Sequence, residues 1–305
     1  MKKIEIKQID AFTKTPFQGN PAGVVLRAEG LNTRQMQKIA KEMNLSETAF
    51  VAKRWNRQLY SVRFFTPEKE VNLCGHATIA TFYALAKSGE IQPSTPYGEV
   101  FQKTKAGHLA VRIFFDQGNP KMILMGQAKP RFQSVRINRR VLSKILGIET
   151  SSLDLQCSPI EKAFTGLWHL IVPIKSRKSI DLARPNYLEL RELNKSLDVT
   201  TTHLFTLNSD RKEITAYTRD FAPAAGVDED PVTGTANGAL GAYLVKNRVV
   251  PLTFPEVKMT FEQGNRLRRK GILTIQISHR DGDVSEVWVG GKAVTALEGV
   301  MKMNG

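Results

Sequence analysis

The chain opens on near-alternation. Ile4, Ile6 and Ile9 fall among charged and polar neighbours in "KKIEIKQID", close to the period of two of a half-buried strand. A turn-rich stretch, "DAFTKTPFQGNP", leads to the short apolar strand "AGVVL". The period then lengthens in "NTRQMQKIAKEM", where Met36, Ile39, Ala40 and Met43 share one helical face and Asn32 or Thr33 supplies the N-cap. "ETAFVAK" and "LYSVRFF" read as strands, and after Gly89 the segments "EVFQKTKAG", "HLAVRIFF" and "KMILMG" read as a meander. Downstream, "NRRVLSKILG" is an amphipathic helix stopped by Gly147, and "NYLELRELNKSL" is a second, carried by Tyr187, Leu188, Leu190, Leu193 and Leu197. "LWHLIVPI", "HLFTLN", "EITAYTRDF", "VKMTFEQG", "GILTIQISH", "EVWVGGKAV" and "ALEGVMK" supply further strands.

Two segments depart from both periods. "CGHATIATFYALA" and "GTANGALGAYLV" are apolar around nearly the whole helix circumference, so each must be surrounded by protein. They sit inside an internal repeat. Phe65-x-Pro67 matches Phe221-x-Pro223 and, after three extra residues in the second copy, Gly75-His76-Ala77 matches Gly234-Thr235-Ala236. The pattern predicts an α/β (α+β) chain of two pseudo-symmetric domains, each a curled mixed sheet around a central apolar helix. Residues 1–128 form the first domain, completed by a C-terminal strand at about 290–305, and residues 129–289 form the second. Gly126 and Pro130 mark the boundary.

A buried helix leaves its first N–H groups without intrahelical partners. With Gly75 or Gly234 at the turn, those groups can face a cleft and attract an anion. Two such helix starts would clamp a carboxylate from two sides. The plain alternative is that both glycines only shape turns.

Composition narrows the classes. At 305 residues and 41% hydrophobic, the chain can build a full core. Cys74 and Cys157 are too few for a disulfide framework or a cysteine-rich zinc site. The lysines of "MKKIEIKQID" precede alternating residues rather than a signal-peptide core, and no run approaches the ~18 apolar residues of a membrane span. A cytoplasmic protein without a membrane partner is expected. The net charge of +15 raises the question of nucleic acid. The basic clusters Arg136/Arg139/Arg140 and Arg266/Arg268/Arg269/Lys270 are not interleaved with aromatics for base stacking, so a basic solvated exterior, one able to draw in anionic substrates, is the better reading than a nucleic-acid surface.

The segments "DAFTKTPFQGNPAGVVL", "LSETAFV", "FFTPEKEVNLCGHATIAT", "DEDPVTGTANGALGAYL", "FEQG" and "VWVGGKAV", in that order, resemble the phenazine-biosynthesis PhzF-like isomerase family, which is similar to diaminopimelate epimerase. The resemblance implies an active site between two domains, a homodimer, and proton-transfer chemistry on a small carboxylate without metal or organic cofactor. It assigns the acid/base to Glu47 of "SETAF" and active-site roles to His76 and Asp230. Chemically, a carboxylate can take a proton from one carbon and return it to another, and partial burial beside Ala49, Phe50 and Val51 would suit that cycle. His76 can donate a hydrogen bond or shuttle a proton. Gly75, Gly234 and Thr235 would hold the carboxylate, with Asn20 of "GNPAG" as a substrate contact or a turn residue.

Two departures set limits on the resemblance. Thr235 stands where many relatives carry Ser, and "NRLRRKG" replaces a "GRPS" segment after "FEQG". Asp228 and Glu229 read as solvated or helix-capping neighbours of Asp230. Cys74 occupies the place of one thiol of a two-base epimerase, yet the second copy offers no partner thiol before Gly234. A two-base amino-acid epimerase and a non-catalytic basic binding protein are the alternatives to a PhzF-like isomerase.

Overall fold

The computed structural model describes residues 1–303; Asn304 and Gly305, the tip of the terminal strand expected to about 305, lie outside the described residues. The chain divides into two compact units. One comprises Met1–Gly126 with the chain from Gly290 onward, and the other is Gln127–Val289.

In the first unit, Lys2–Ala11 lies antiparallel between Ala293–Met303 and Asn20–Val25. Asn20–Val25 runs parallel to Glu47–Arg54, which turns back antiparallel on Leu59–Phe65. Helix α1 (Thr33–Met43) makes the crossover that a parallel pair requires. Its start is fixed by a capping box between Asn32 and Gln35, and its buried Met36, Ile39 and Ala40 meet Ile4, Ile6, Phe50 and Phe65. The short strand Glu70–Val71 folds back on Leu59–Phe65 and delivers the chain into α2 (Gly75–Lys87). After α2 the chain returns as Gly98–Thr104, parallel to Leu59–Phe65, then reverses through Gly107–Asp116 and Asn119–Gly126. Helix α2 touches strands from both margins of this sheet as well as its middle, so the sheet curls around it. Only Gly75, Tyr83 and Lys87 of α2 escape full burial.

The second unit repeats the plan. Trp168–Pro173 runs parallel to Thr201–Thr206, which pairs antiparallel with Ala216–Ala222. Between the parallel strands lie α4 (Arg177–Leu182) and α5 (Tyr187–Ser196), preceded in the chain by α3 (Arg139–Leu146). Val227–Asp230 folds back on Ala216–Ala222 and leads into α6 (Gly234–Lys246). Glu256–Gln263 then returns parallel to Ala216–Ala222 and pairs with Gly271–Arg280. Every residue of α6 except Lys246 is buried. The outer face of the sheet is covered by α3 and α5, whose Leu142, Ile145, Leu146 and Leu190 pack on Leu170, Val172, Leu204 and Phe221.

Helix α4 was not legible as a helix in the sequence. It is a turn and a half long, buries only Ile180, and is started by the Ser176 side chain on the Ser179 N–H. Both central helices have the all-round apolar surface that the sequence predicts, and a mixed α/β fold of this kind is what the chain adopts.

Candidate active site

Three reactive side chains meet at the head of α2. Glu47 is the first residue of its strand, and its carboxylate Oε2 lies 3.3 Å from His76 Nε2. Cys74, the N-cap, places Sγ 3.4 Å from His76 Nδ1 and 3.9 Å from Nε2. The Glu47 side chain is 21% exposed and the His76 side chain 7%, so the imidazole is enclosed while the carboxylate reaches solvent. One tautomer satisfies both contacts: the Nε2–H donates to Glu47 and Nδ1 accepts from the thiol. Asn20 is fully buried two residues before Ala22, the parallel partner of Glu47, and so lies on the same face and at the same end of the sheet. Cys74 makes no side-chain cap on α2, whose first N–H groups follow Gly75.

The same donors could hold a metal. One ligand atom each from Glu47, Cys74 and His76 lie within 4.8 Å of one another, and thiolate, imidazole and carboxylate are the donor types of zinc. A zinc ion captured there would occupy the lone pairs of Glu47, so this set is as well suited to inhibition by metal as to use of it.

The second unit presents a different assembly at the head of α6. Asp230 ends its short strand and accepts, or shares, a 2.6 Å hydrogen bond between Oδ2 and Thr233 Oγ1. Thr233 is the N-cap and makes no side-chain cap. Its Oγ1 instead lies 2.9 Å from Asp220 Oδ2 and 3.2 Å from Gln263 Nε2. Behind it, Asp220 Oδ1 accepts from Thr201 Oγ1 at 2.7 Å and from His203 Nδ1 at 3.0 Å, and His169 Nδ1 stands 2.8 Å from Thr201 Oγ1. His169, His203 and Asp220 are wholly buried. Burial holds the His169 imidazole down at about 4, so it is neutral near pH 7. Burial also pushes the Asp220 carboxyl up, but the hydrogen bond from His203, with that from Thr201, brings it below the ordinary carboxylate value. Gly234 and Thr235, the first two residues of α6, are both buried, and Thr235 O accepts from Thr165 Oγ1 at 3.1 Å.

Of the residues singled out in the sequence, Asn20, Glu47, Gly75 and His76 therefore gather in the first unit, and Asp230, Gly234 and Thr235 in the second. Glu229 corrects the sequence reading. It is neither solvated nor a helix cap, because Arg219 Nε and Nη2 grip its two oxygens at 2.8 Å each in a buried bidentate pair. Asp228 is exposed, as expected. The basic segment after "FEQG" is partly committed to structure: Lys270 Nζ lies 3.1 Å from Glu262, which also pairs with Arg177 and Arg211. Sequence reasoning missed Asp220, His203, His169 and Gln263. In alternating strands an Asp or His reads as solvent-facing, whereas all seven residues of Ala216–Ala222 are buried on both faces.

A family model described as phenazine biosynthesis-like protein, PhzC-PhzF, matches residues 9–299. An uncharacterized isomerase of Clostridium acetobutylicum is 39% identical, with 100% of each chain covered. The trans-2,3-dihydro-3-hydroxyanthranilate isomerase of Pseudomonas chlororaphis is 30% identical over 96% of this chain and 97% of its own. Among solved structures, a PhzF-family phenazine biosynthesis protein of Bacillus anthracis is 32% identical and superposes with a TM-score of 0.90, covering 99% of this chain and 100% of that one. A hydroxyproline epimerase of Agrobacterium vitis, 12% identical, shares the fold at a TM-score of 0.65 over 99% and 91%. No helix among the described residues is long and apolar enough to cross a membrane.

Proposed function

The chain belongs to the phenazine biosynthesis-like PhzC-PhzF family and is an isomerase, and from that premise we propose that Glu47 is the acid/base that moves a proton on a small carboxylate substrate, without metal or organic cofactor. The observation that carries the reading is the Glu47–His76 contact of 3.3 Å at the head of α2. A carboxylate hydrogen-bonded to an enclosed imidazole is oriented and still open to solvent on its other side, which suits a group that must take a proton from carbon and return it. His76 orients the carboxylate and, with Gly75, binds polar groups of the substrate. Asn20 joins them from the same end of the sheet. From the second unit, Gly234 and Thr235 at the head of α6 bind the carboxylate and Asp230 orients a polar substituent. The helix start supplies backbone N–H groups for that purpose. A cytoplasmic homodimer belongs to the same reading, and sedimentation equilibrium tests the assembly.

Thiol chemistry is the weaker alternative. Cys74 is buried beside His76, but its topological counterpart in the second unit is Thr233, which cannot act as an opposed thiol base. The relative of Pseudomonas chlororaphis supplies the first substrate to try. In D2O, trans-2,3-dihydro-3-hydroxyanthranilate and simpler unsaturated or amino carboxylates are incubated with enzyme, and deuterium uptake at carbon is read by mass spectrometry. Uptake by the wild type that disappears in Glu47→Gln and persists in Cys74→Ala supports the reading. Equal uptake by the wild type and Glu47→Gln removes Glu47 from its role.

A further inference from the structure

Cys74 has no part in the proposed proton transfer, yet it stands buried beside the imidazole that serves it. What it adds is a third donor atom. Among the described residues, Glu47, Cys74 and His76 are the one group of such side chains close enough to share a single ion.

Geometry and donor type select the ion. A tetrahedral zinc takes sulfur at about 2.3 Å and nitrogen or oxygen at about 2.0–2.1 Å, so its ligand atoms stand about 3.4 Å apart for a nitrogen–oxygen pair and about 3.6 Å apart for a sulfur–nitrogen pair. Glu47 Oε2 and His76 Nε2 are 3.3 Å apart, already one edge of that tetrahedron. Cys74 Sγ is 3.9 Å from the same Nε2, slightly long, and a small side-chain rotation supplies the difference. Sulfur and imidazole suit zinc and do not suit hard cations such as Mg²⁺. Charge agrees: one thiolate and one carboxylate offset the two charges of zinc, so the loaded site is neutral, which limits the cost of enclosing it. Cys74 is the N-cap and His76 the second residue of α2, and Glu47 opens its strand, so regular elements of the first unit carry all three. The partly exposed Glu47 gives the way in. At the head of α6 the corresponding places hold Thr233 and Thr235, which offer zinc neither sulfur nor imidazole.

We propose that Glu47, Cys74 and His76 form a zinc-binding site, with water as the fourth ligand, and that zinc held there shuts the enzyme off. On binding, Nε2 releases its proton to the buffer and the thiol proton passes to Nδ1, 3.4 Å from Sγ. Nε2, Sγ and a Glu47 oxygen then bond to zinc, and one proton leaves for each ion bound. The inhibition rests on the proposed role of Glu47: an oxygen committed to zinc no longer takes a proton from carbon, and His76 no longer donates to it. The site itself does not rest on that role. Cys74 is the ligand that makes the chemistry sensitive to zinc without taking part in it.

The full chain, without a polyhistidine tag and stripped of metal by a chelator, is titrated with Zn²⁺ by calorimetry and with Co²⁺ by absorption. The expected result is one ion per chain, the visible cobalt bands of a tetrahedral site, and a near-ultraviolet sulfur-to-cobalt band that Cys74→Ala abolishes. Cys74→Ala should weaken zinc binding by at least about 100-fold, the upper end of what loss of a ligand's own hydrogen-bond partner costs. Cys74→Ser, which keeps the size of the side chain, should also lack the sulfur band and decides the matter if the alanine variant does not fold. In the deuterium-uptake assay, zinc should stop the wild type at concentrations that leave Cys74→Ala active, a chelator should restore uptake, and Mg²⁺ should have no effect. Failure to bind zinc stoichiometrically, or a cobalt spectrum unchanged in the Cys74 variants, overturns the site. A zinc-loaded wild type that exchanges deuterium at its full rate, or a Cys74→Ala enzyme equally sensitive to zinc, overturns the inhibition. Should the wild type and Glu47→Gln take up deuterium equally, the role of Glu47 fails, and the cobalt spectra still decide the site.

Discussion

The two helix starts, Cys74-Gly75-His76 and Thr233-Gly234-Thr235, stand at the same point of the same topology and carry opposite equipment. Register makes the correspondence residue by residue. Thr48 opposes Phe65 in the first unit as Thr202 opposes Phe221 in the second. Glu47 therefore corresponds to Thr201, Phe64 to Asp220, Cys74 to Thr233 and His76 to Thr235. In the first unit the strand position holds a partly exposed carboxylate on an imidazole. In the second it holds a buried hydroxyl that feeds a carboxylate standing where the first has a phenylalanine. Duplication has kept the backbone device, a short strand running into a glycine-led buried helix. The side chains around it have divided into a reactive group and a polar scaffold.

The sharpest way to break this comparison is to exchange the reactive position. Glu47→Gln keeps the shape and removes the base, and deuterium exchange into substrate should fall about 10²- to 10⁴-fold. Thr201→Val, its counterpart, should cost less than about tenfold, since it acts only through Asp220. Comparable losses in the two variants would mean that the polar network is itself part of the proton path.

The Phe64 and Asp220 pair comes next. Phe64 is wholly buried, and Phe64→Ala should cost about 3–5 kcal/mol in urea unfolding through a cavity. Asp220→Ala should cost about 2–4 kcal/mol by a different route, because the His203 Nδ1–H loses its acceptor in a dry site. The first loss is expected to be independent of pH and the second not. If both are pH-independent, Asp220 is not the charged centre of its network.

What the sequence made legible follows the same divide. The 3.6 period and its caps disclosed α1, α3 and α5, because one apolar face against solvent leaves a clear signature. The repeat disclosed α2 and α6 through their lack of any polar face. Glu47, His76 and Asp230 were reached by motif resemblance. The His169–Thr201–Asp220–His203 network was not legible, since pairing of polar residues across three strands depends on register that local pattern does not contain. One signal was available: aligning Phe221 on Phe65 places Asp220 opposite a core phenylalanine, and a charge at a core position demands partners.

Acid should expose that network. The His169 imidazole is held by burial at about 4 against an ordinary 6.5. Below pH 6.5 the unfolded chain binds a proton there that the folded chain refuses, so stability falls as pH drops from about 6.5 to about 4, by up to about 3 kcal/mol. Asp220 adds to the same trend at lower pH: its folded carboxyl lies below the ordinary value, so its contribution is present above about pH 4 and lost as pH falls through the folded value. Urea midpoints across this range should decline in the wild type. In His169→Leu the decline between pH 6.5 and 4 should be absent, at the cost of the bond to Thr201. A wild-type midpoint flat to pH 4 would mean that the imidazole gains a proton without unfolding, and that the second unit is less sealed than its burial indicates.

The smallest effect tests how closely the second sheet wraps its helix. Helix α6 carries Gly238 and Gly241 where the repeat gives α2 Ile79 and Phe82. A Cβ at Gly241 would lie 2.5 Å from Ile275 Cγ2 and 3.3 Å from Met259 Cε, and one at Gly238 would lie 2.7 Å from Val289 Cγ2. Met259 can swing its terminal methyl aside, but Cγ2 of a β-branched residue in a strand is held close to the backbone. Alanine gains about 0.8–1 kcal/mol of helix propensity over glycine, against about 1–3 kcal/mol for overpacking. Gly241→Ala should therefore lower stability by about 1 kcal/mol, and Gly241→Phe, the residue of the other helix, should not fold. If Gly241→Ala is instead stabilising, the sheet can step back from α6, and the glycines record the history of the repeat rather than a tighter wrap.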